Sequence, residues 1–241
     1  MLEGNNLLAS LIAEDLELLE PCLVPMTLPA DAILYHPGET VQHAYFPRWS
    51  AVASFLVMLD EGVAVETTMV GHEGAIGGIV SHGSVPAFSR CQVLHEGSFY
   101  RISTHDLEAA KERSVTLHHL FARYADCLMA QVFQSVACNA THTIEQRAAK
   151  WLCAAVERTG MRTIAMTQEQ LASMMGIGRS YASRVLQRLK LSGMIRTRRG
   201  GIEVLDTPRL ERHACGCNDA VRRHFDTVMG CVYPGGVTQR P

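Results

Sequence analysis

Residues 167–203, TQEQLASMMGIGRSYASRVLQRLKLSGMIRTRRGGIE, read as two short helices joined by a glycine turn and followed by a basic hairpin. Thr167 precedes Gln170 by three residues, the capping-box spacing that satisfies free amides at a helix start. The first helix runs through Leu171, Ala172 and Met175 to Gly176-Ile177-Gly178, where glycine allows a sharp change of direction. A second helix begins near Arg179. Ala182, Val185, Leu186 and Leu189 fall at i, i+3, i+4 and i+7, so one stripe faces a core. The opposite side carries Ser180, Ser183, Arg184, Gln187 and Arg188, with Arg179 at the amino end, and Gly193 is placed to stop the helix. Beyond it, residues 195–198 and 202–205 flank Arg199-Gly200-Gly201 and predict a hairpin. Arg196, Arg198 and Arg199 give that hairpin the charge a phosphate backbone rewards by counterion release. This order of cap, turn, stripe and basic wing predicts a winged helix-turn-helix that reads duplex DNA.

The remainder of the 241 residues is built differently. The chain is 47% hydrophobic and 19% charged, which excludes a disordered protein and leaves room for two cores. Its net charge of −2 hides an asymmetry: residues 1–138 hold 6 Lys and Arg against 16 Asp and Glu, whereas residues 139–241 hold 16 against 8. One half repels a polyanion and the other attracts it. The first residues show no secretory pattern and the apolar run near residues 51–59 is too short to span a bilayer, so a cytoplasmic protein without a membrane partner is expected. Eight scattered cysteines lack the framework of a small secreted fold, and reduced thiols are the expectation.

Residues 7–19 have the apolar spacing of a short amphipathic helix. From Cys22 to Ile102 short β-type segments alternate with turn residues, including Asp60-Glu61-Gly62, Gly71-His72-Glu73-Gly74, His82-Gly83-Ser84 and His95-Glu96-Gly97. Strands at this spacing predict a jelly roll or barrel. Residues 106–138 change to a helical period: Leu117, Phe121, Tyr124, Leu128, Val132 and Val136 recur at three- and four-residue steps and predict a dimer seam. A further helix over residues 143–158, capped by Thr143 and Gln146 and closed by Gly160, is expected to support the reading head with Trp151 in its core. The predicted organisation is α+β: a double-stranded β-roll sensor over 1–105, a long dimerisation helix over 106–138, a winged helix-turn-helix over 139–210 and a tail over 211–241.

This combination resembles the Crp/Fnr family of bacterial transcription factors. The resemblance covers most of the chain and is carried by Thr167-Gln168-Glu169-Gln170-Leu171-Ala172, Gly176, Arg179, Ser183-Arg184-Val185-Leu186, Leu189, Gly193, Ile195 and Val204-Leu205-Asp206. It implies a homodimer on a palindromic operator, with RNA polymerase as a candidate partner. Arg179 and Arg184 fall where the family's arginines read guanines with paired hydrogen bonds. Ser180, Ser183, Arg188, Thr167 and Gln168 complete the expected DNA-binding set with Arg196, Arg198 and Arg199. Where many members follow the first arginine with a glutamate, this chain has Ser180, so a different half-site is expected.

The sensor half departs further. When residues 71–102 are laid on the family's cyclic-nucleotide cassette, Gly78 stands at the ribose-binding glutamate and Ala87 or Phe88 at the phosphate-binding arginine. A buried phosphate would lack its donor, which argues against ordinary cyclic AMP binding. Only Cys22 lies in the first ninety residues, which disfavours an iron–sulfur cluster, and no histidine has a context diagnostic of haem. No cofactor is therefore expected, and the effector is undetermined. Cys215-Gly216-Cys217, with His213, His224 and Cys231, is the cluster to weigh as a metal or redox site, but one tight pair is weak evidence for zinc, and incidental thiols are the expectation. A rival reading, a metal-dependent cupin enzyme, needs alternating histidines and a carboxylate on neighbouring strands. The chain has only adjacent His118-His119 on the helix and His72-Glu73 in a glycine turn, so no catalytic residue is expected. A regulator that binds DNA without any ligand is the other alternative.

Overall fold

The computed structural model describes residues 2–60, 63–81, 85–230 and 232. The turn residues Glu61, Gly62 and 82–84, and Cys231, lie outside them. The amino-terminal segment forms two helices rather than one, α1 (Asn6–Ala9) and α2 (Ala13–Leu19). Seven strands follow: β1 (Val24–Leu28), β2 (Ile33–Tyr35), β3 (His43–Pro47), β4 (Val52–Met58), β5 (Ala64–Val70), β6 (Arg90–His95) and β7 (Gly97–Ser103). They make two antiparallel sheets, ordered β1-β7-β3 and β2-β6-β4-β5, which face each other as the predicted β-roll.

Alternation along the strands sorts residues into layers. Tyr45 and Phe99 point between the sheets, where they meet Ala53, Val70, Cys91 and Val93. Their neighbours Ala44, Phe46, Tyr100 and Ile102 point the other way, into a second core shared with the surrounding helices. The outer face of the four-stranded sheet supplies Val52, Leu56 and Met69 to a third core, and there the reading head docks.

The expected single helix over 106–138 is two: α3 (Thr104–Arg113) and α4 (Val115–Thr141). Ser114 breaks them apart. It leaves α3 in an extended conformation and caps α4 by accepting the Leu117 N–H, while its hydroxyl also bonds Asp15. The first half of α4 lies in the second core, where the Tyr124 hydroxyl donates to the Ala75 carbonyl at 3.1 Å. Gly74 is required there because a Cβ would run into the Tyr124 ring and hydroxyl.

Leu117, Phe121 and Tyr124, expected at a dimer seam, are fully buried inside their own chain and offer no surface to a partner. They are occupied because α4 packs on the β-roll and because the expected tail is a helix. Beyond α8 (Thr207–His213), α9 (Cys217–Met229) lies along α4, with Phe225 edge-on to Tyr124 at a centroid distance of 6.3 Å. Leu128 is partly buried, whereas Val132 stands in an exposed apolar row with Met129, Phe133 and Val136.

Candidate nucleic-acid interface

The reading head begins with α5 (Ile144–Thr159), capped as expected: Thr143 accepts the Gln146 N–H at 3.3 Å and Gln146 accepts the Thr143 N–H at 3.1 Å. Gly160 closes it in the left-handed region. After a two-residue strand β8 (Thr163–Ile164) comes α6 (Gln168–Met174), whose Thr167–Gln170 box also has both arms, at 3.1 and 2.8 Å. Of the two turn glycines only Gly176 is left-handed (φ +65°); Gly178 is the extended N-cap of α7 (Arg179–Leu191). Ala182, Val185, Leu186 and Leu189 are buried, the last three in one core with Leu171, Trp151 and Leu152. The wing is β9 (Ile195–Arg198) paired with β10 (Gly201–Val204), turned at left-handed Gly200, and β8 adds a third strand that the alternation was too short to reveal.

Burial of the apolar stripe turns the polar side of α7 outward. Arg179, Ser180, Ser183, Arg184, Gln187 and Arg188 are all exposed, as are Thr167 and Gln168 beside the α6 start and Arg196, Arg198 and Arg199 on the wing. The arginines among them are held by weak contacts. Arg179 is 3.9 Å from Glu169 with both side chains about three-quarters exposed, and the Arg184 guanidinium lies 5.5 Å over the Tyr181 ring. Arg188 bonds Glu145 at 3.2 Å. On the wing, Glu203 takes a 2.7 Å hydrogen bond from Arg198 and lies 3.7 Å from Arg196; the Arg198 hydrogen bond is the main cause that holds its carboxyl below the usual range.

The opposite side of the reading head is closed onto the β-roll. The Trp151 Nε1–H donates to Glu66 at 2.6 Å, and the Ser173 hydroxyl donates to the Ala64 carbonyl at 3.1 Å. Between α5 and the 71–74 turn, Arg158 donates to Glu73 at 2.8 Å with both side chains sealed from solvent. The other Glu73 oxygen accepts the Gly71 N–H. Glu73 is thus committed to a structural ion pair, away from any cupin-like ligand set. Trp151 is core, as its mid-helix position suggests, and its ring nitrogen has found the partner a buried indole needs.

A cavity of about 180 Å³ is bounded by Tyr35, Phe55 and Thr104 together with Gly78, Ala87 and Phe88, the residues that the resemblance sets at the cyclic-nucleotide anchors. No charged side chain lines it among the described residues. Arg90 lies elsewhere, at a second cavity of about 130 Å³ between the four-stranded sheet and α6, where its Nε is buried without a hydrogen-bond partner among the described residues.

The Cys215-Cys217 pair does not gather the residues expected beside it. His213 is bonded to Glu145 at 2.8 Å, His224 is exposed on α9, and Cys231 is outside the described residues. Instead the pair meets Cys138 and His142, at the end of α4, and the four ligand atoms lie within 4.8 Å of one another. The sequence contained a signal for this second pair in its i, i+4 spacing, which puts both on one side of a helix. Nothing local joined it to a pair some 75 residues further on.

No helix among the described residues is long and apolar enough to cross a membrane. The family model of the Crp-like helix-turn-helix domain matches residues 146–213. No curated protein matches the sequence significantly. Among solved structures, FixK2 from Bradyrhizobium japonicum superposes with a TM-score of 0.64 at 16% identity, over 80% of this chain and 98% of that one. The c-di-GMP responsive regulator CLP of Xanthomonas campestris gives 0.65 at 15% identity, over 81% and 100%. A CRP-family transcriptional regulator from Thermus thermophilus gives 0.66 at 19%, over 78% and 96%. At such identities the likeness to solved structures is one of fold, and the domain match adds the reading head. Residues 146–213 are therefore a Crp-like helix-turn-helix domain, and the described fold is the one that these solved Crp/Fnr-type structures share.

Proposed function

We propose that the protein is a homodimeric, sequence-specific regulator that lays α7 in the major groove of a palindromic operator. One observation carries this reading: α7 buries a full apolar stripe while its outer face presents Arg179, Ser180, Ser183, Arg184 and Arg188 to solvent beside a basic wing. Arginine makes paired hydrogen bonds to guanine, so Arg179 and Arg184 read bases. Thr167, Gln168, Arg196, Arg198 and Arg199 lie at the helix start and wing, where they hold phosphates and set register. Two heads on a two-fold axis reach half-sites about one helical turn, roughly 34 Å, apart.

The dimer forms through the second half of α4. The exposed row Met129, Val132, Phe133 and Val136 has the spacing of one helix face, and an apolar stripe of this kind is buried against a partner when two copies of α4 meet. Phe133→Glu is expected to yield a monomer in sedimentation; a dimer that survives it would place the interface elsewhere. The effector acts at the β-roll, and the 180 Å³ cavity, which no charged side chain lines among the described residues, supports a neutral ligand over a cyclic nucleotide. RNA polymerase is the partner proposed for the operator-bound dimer.

Selection of bound duplexes from a random pool tests the whole reading. A recovered inverted repeat supports it. Equal retention of all duplexes, with and without small-molecule extracts, would overturn it.

A further inference from the structure

Two chain segments, 138–142 and 215–217, bring three thiols and an imidazole to one point. Cys138 is the last buried residue of α4, His142 is the residue at which the chain leaves that helix, Cys215 lies between α8 and α9, and Cys217 is the first residue of α9. Cys138, Cys215 and Cys217 are buried and touch one another; His142 is partly buried. The Cys138 and Cys215 sulfurs are 3.5 Å apart, and the Cys217 sulfur is 3.6 Å from His142 Nδ1. Around a tetrahedral zinc with ordinary bond lengths, sulfur atoms sit about 3.8 Å apart and sulfur and nitrogen about 3.6 Å apart. These two separations are close to those of ligands around one ion, and all four ligand atoms lie within 4.8 Å of one another.

We propose that Cys138, His142, Cys215 and Cys217 form a closed tetrahedral site for a thiophilic divalent cation of the zinc type. The donor set selects the metal class: three thiolates and an imidazole suit zinc, whereas calcium and magnesium require oxygen. Four protein ligands leave no open position, so the site is structural rather than catalytic.

The surroundings are arranged for sulfur as an acceptor. Gln134 Nε2 donates to the Cys217 sulfur at 3.2 Å, and the Cys217 backbone N–H reaches the Cys215 sulfur. N–H donors of this kind orient and stabilise metal-bound thiolates. Cys217 also stands in the first turn of a 13-residue helix, where unpaired amides favour negative charge. Binding removes the thiol protons and replaces them with one ion. A Cys138–Cys215 disulfide is the competing chemistry, but it would use two of the four groups and leave Cys217 and His142 converging on nothing.

The consequence is mechanical. The cation staples α9 to the junction of α4 and α5, through which the β-roll is joined to the reading head. The site is independent of what the reading head binds.

The test uses the full chain, purified under reducing conditions without chelator. We expect one zinc per chain by elemental analysis. After exchange, cobalt(II) is expected to show the intense visible bands of a tetrahedral thiolate site with a near-ultraviolet charge-transfer band. Cys217→Ser and His142→Ala should each weaken cobalt binding at least tenfold, while Cys22→Ser, outside the cluster, should leave it unchanged. The wild-type cobalt titration decides the matter even if the cluster variants fold poorly. A reduced wild-type chain that gives no tetrahedral spectrum overturns the proposal, as does one that carries the Cys138–Cys215 disulfide and takes up no cobalt once reduced.

Discussion

The two sides of the reading head obey opposite rules. Its outer side, α7 and the wing, is exposed and held by ion pairs in water, each worth little because solvent screens it. Its inner side carries the sealed Arg158–Glu73 pair, the Trp151–Glu66 bond and a core shared with Val52, Leu56 and Met69 of the β-roll. Substitutions outside should change DNA recognition and leave folding alone. Substitutions inside should change how the two halves are held together and leave base preference alone.

The sharpest way to break this division is Arg158→Met. It removes one partner of a buried ion pair and strands the Glu73 carboxylate, which costs roughly 3–5 kcal/mol. Urea unfolding should show that loss, and Glu73→Gln in the same chain should recover a large part of it, because the amide oxygen still accepts the Gly71 N–H. A single variant within about 1 kcal/mol of wild type would mean that the halves are not coupled through this pair. Arg184→Ala is the outer counterpart. It should weaken operator binding by about 1–3 kcal/mol, relax one operator position and leave the unfolding midpoint in place. Equal losses on operator and random duplex would remove Arg184 from the base-reading set.

The same division explains what was legible in the sequence. The outer side is built from local rules, each spanning four to seven residues: the Thr167 cap, the Gly176 turn, the stripe from Ala182 to Leu189 and the Gly200 hairpin, and all of these were readable. The β-roll was readable as strands cut by turns. What failed was assignment of partners. The period through Leu117, Phe121 and Tyr124 announced a buried face correctly, but periodicity does not say whether a helix buries that face in its own domain or against a second copy. Here α9 and the β-roll fill it. The helix α9 carries a clear helical period of its own in Val221, Phe225 and Val228, a signal that is passed over when residues 211–241 are read as a tail. The Cys138-His142 and Cys215-Cys217 pairs were separately visible, and only the packing of α9 on α4 joins them. Pairing of Arg158 with Glu73 across 85 residues had no local sign at all.

A smaller effect should appear on the wing. Arg198→Ala is expected to lower affinity for every duplex and to flatten the salt dependence by at most about one unit. Because Glu203 already engages Arg198 and Arg196, phosphates must compete with it. Glu203→Gln should therefore tighten binding to operator and random duplex alike, by about threefold if it frees a single phosphate contact. Filter binding across a salt series checks both. A Glu203→Gln variant that gained affinity for the operator alone would show that the wing reads sequence.

The smallest expected effect lies on the inner side, at Glu66. Its carboxyl accepts from Ser54 at 2.7 Å and from Trp151 at 2.6 Å, yet burial outweighs both donors and holds it above the usual carboxylate range. The folded chain therefore keeps a proton on Glu66 to higher pH than the unfolded chain does. Its contribution favours the folded state below the unfolded value and is lost as pH rises through the folded one. Glu66→Gln keeps an oxygen for Trp151, and Ser54 can turn to accept from the new amide, so the change should be under about 1 kcal/mol at neutral pH. The difference in melting temperature between wild type and variant should shift in favour of wild type as pH falls from about 7 towards about 4.5, the range over which a raised carboxyl takes up its proton. Glu157, also held high by burial, titrates in both proteins and cancels in that comparison. A difference independent of pH would mean that Glu66 titrates alike in both states, and that the seam between the β-roll and the reading head is open to water at this point.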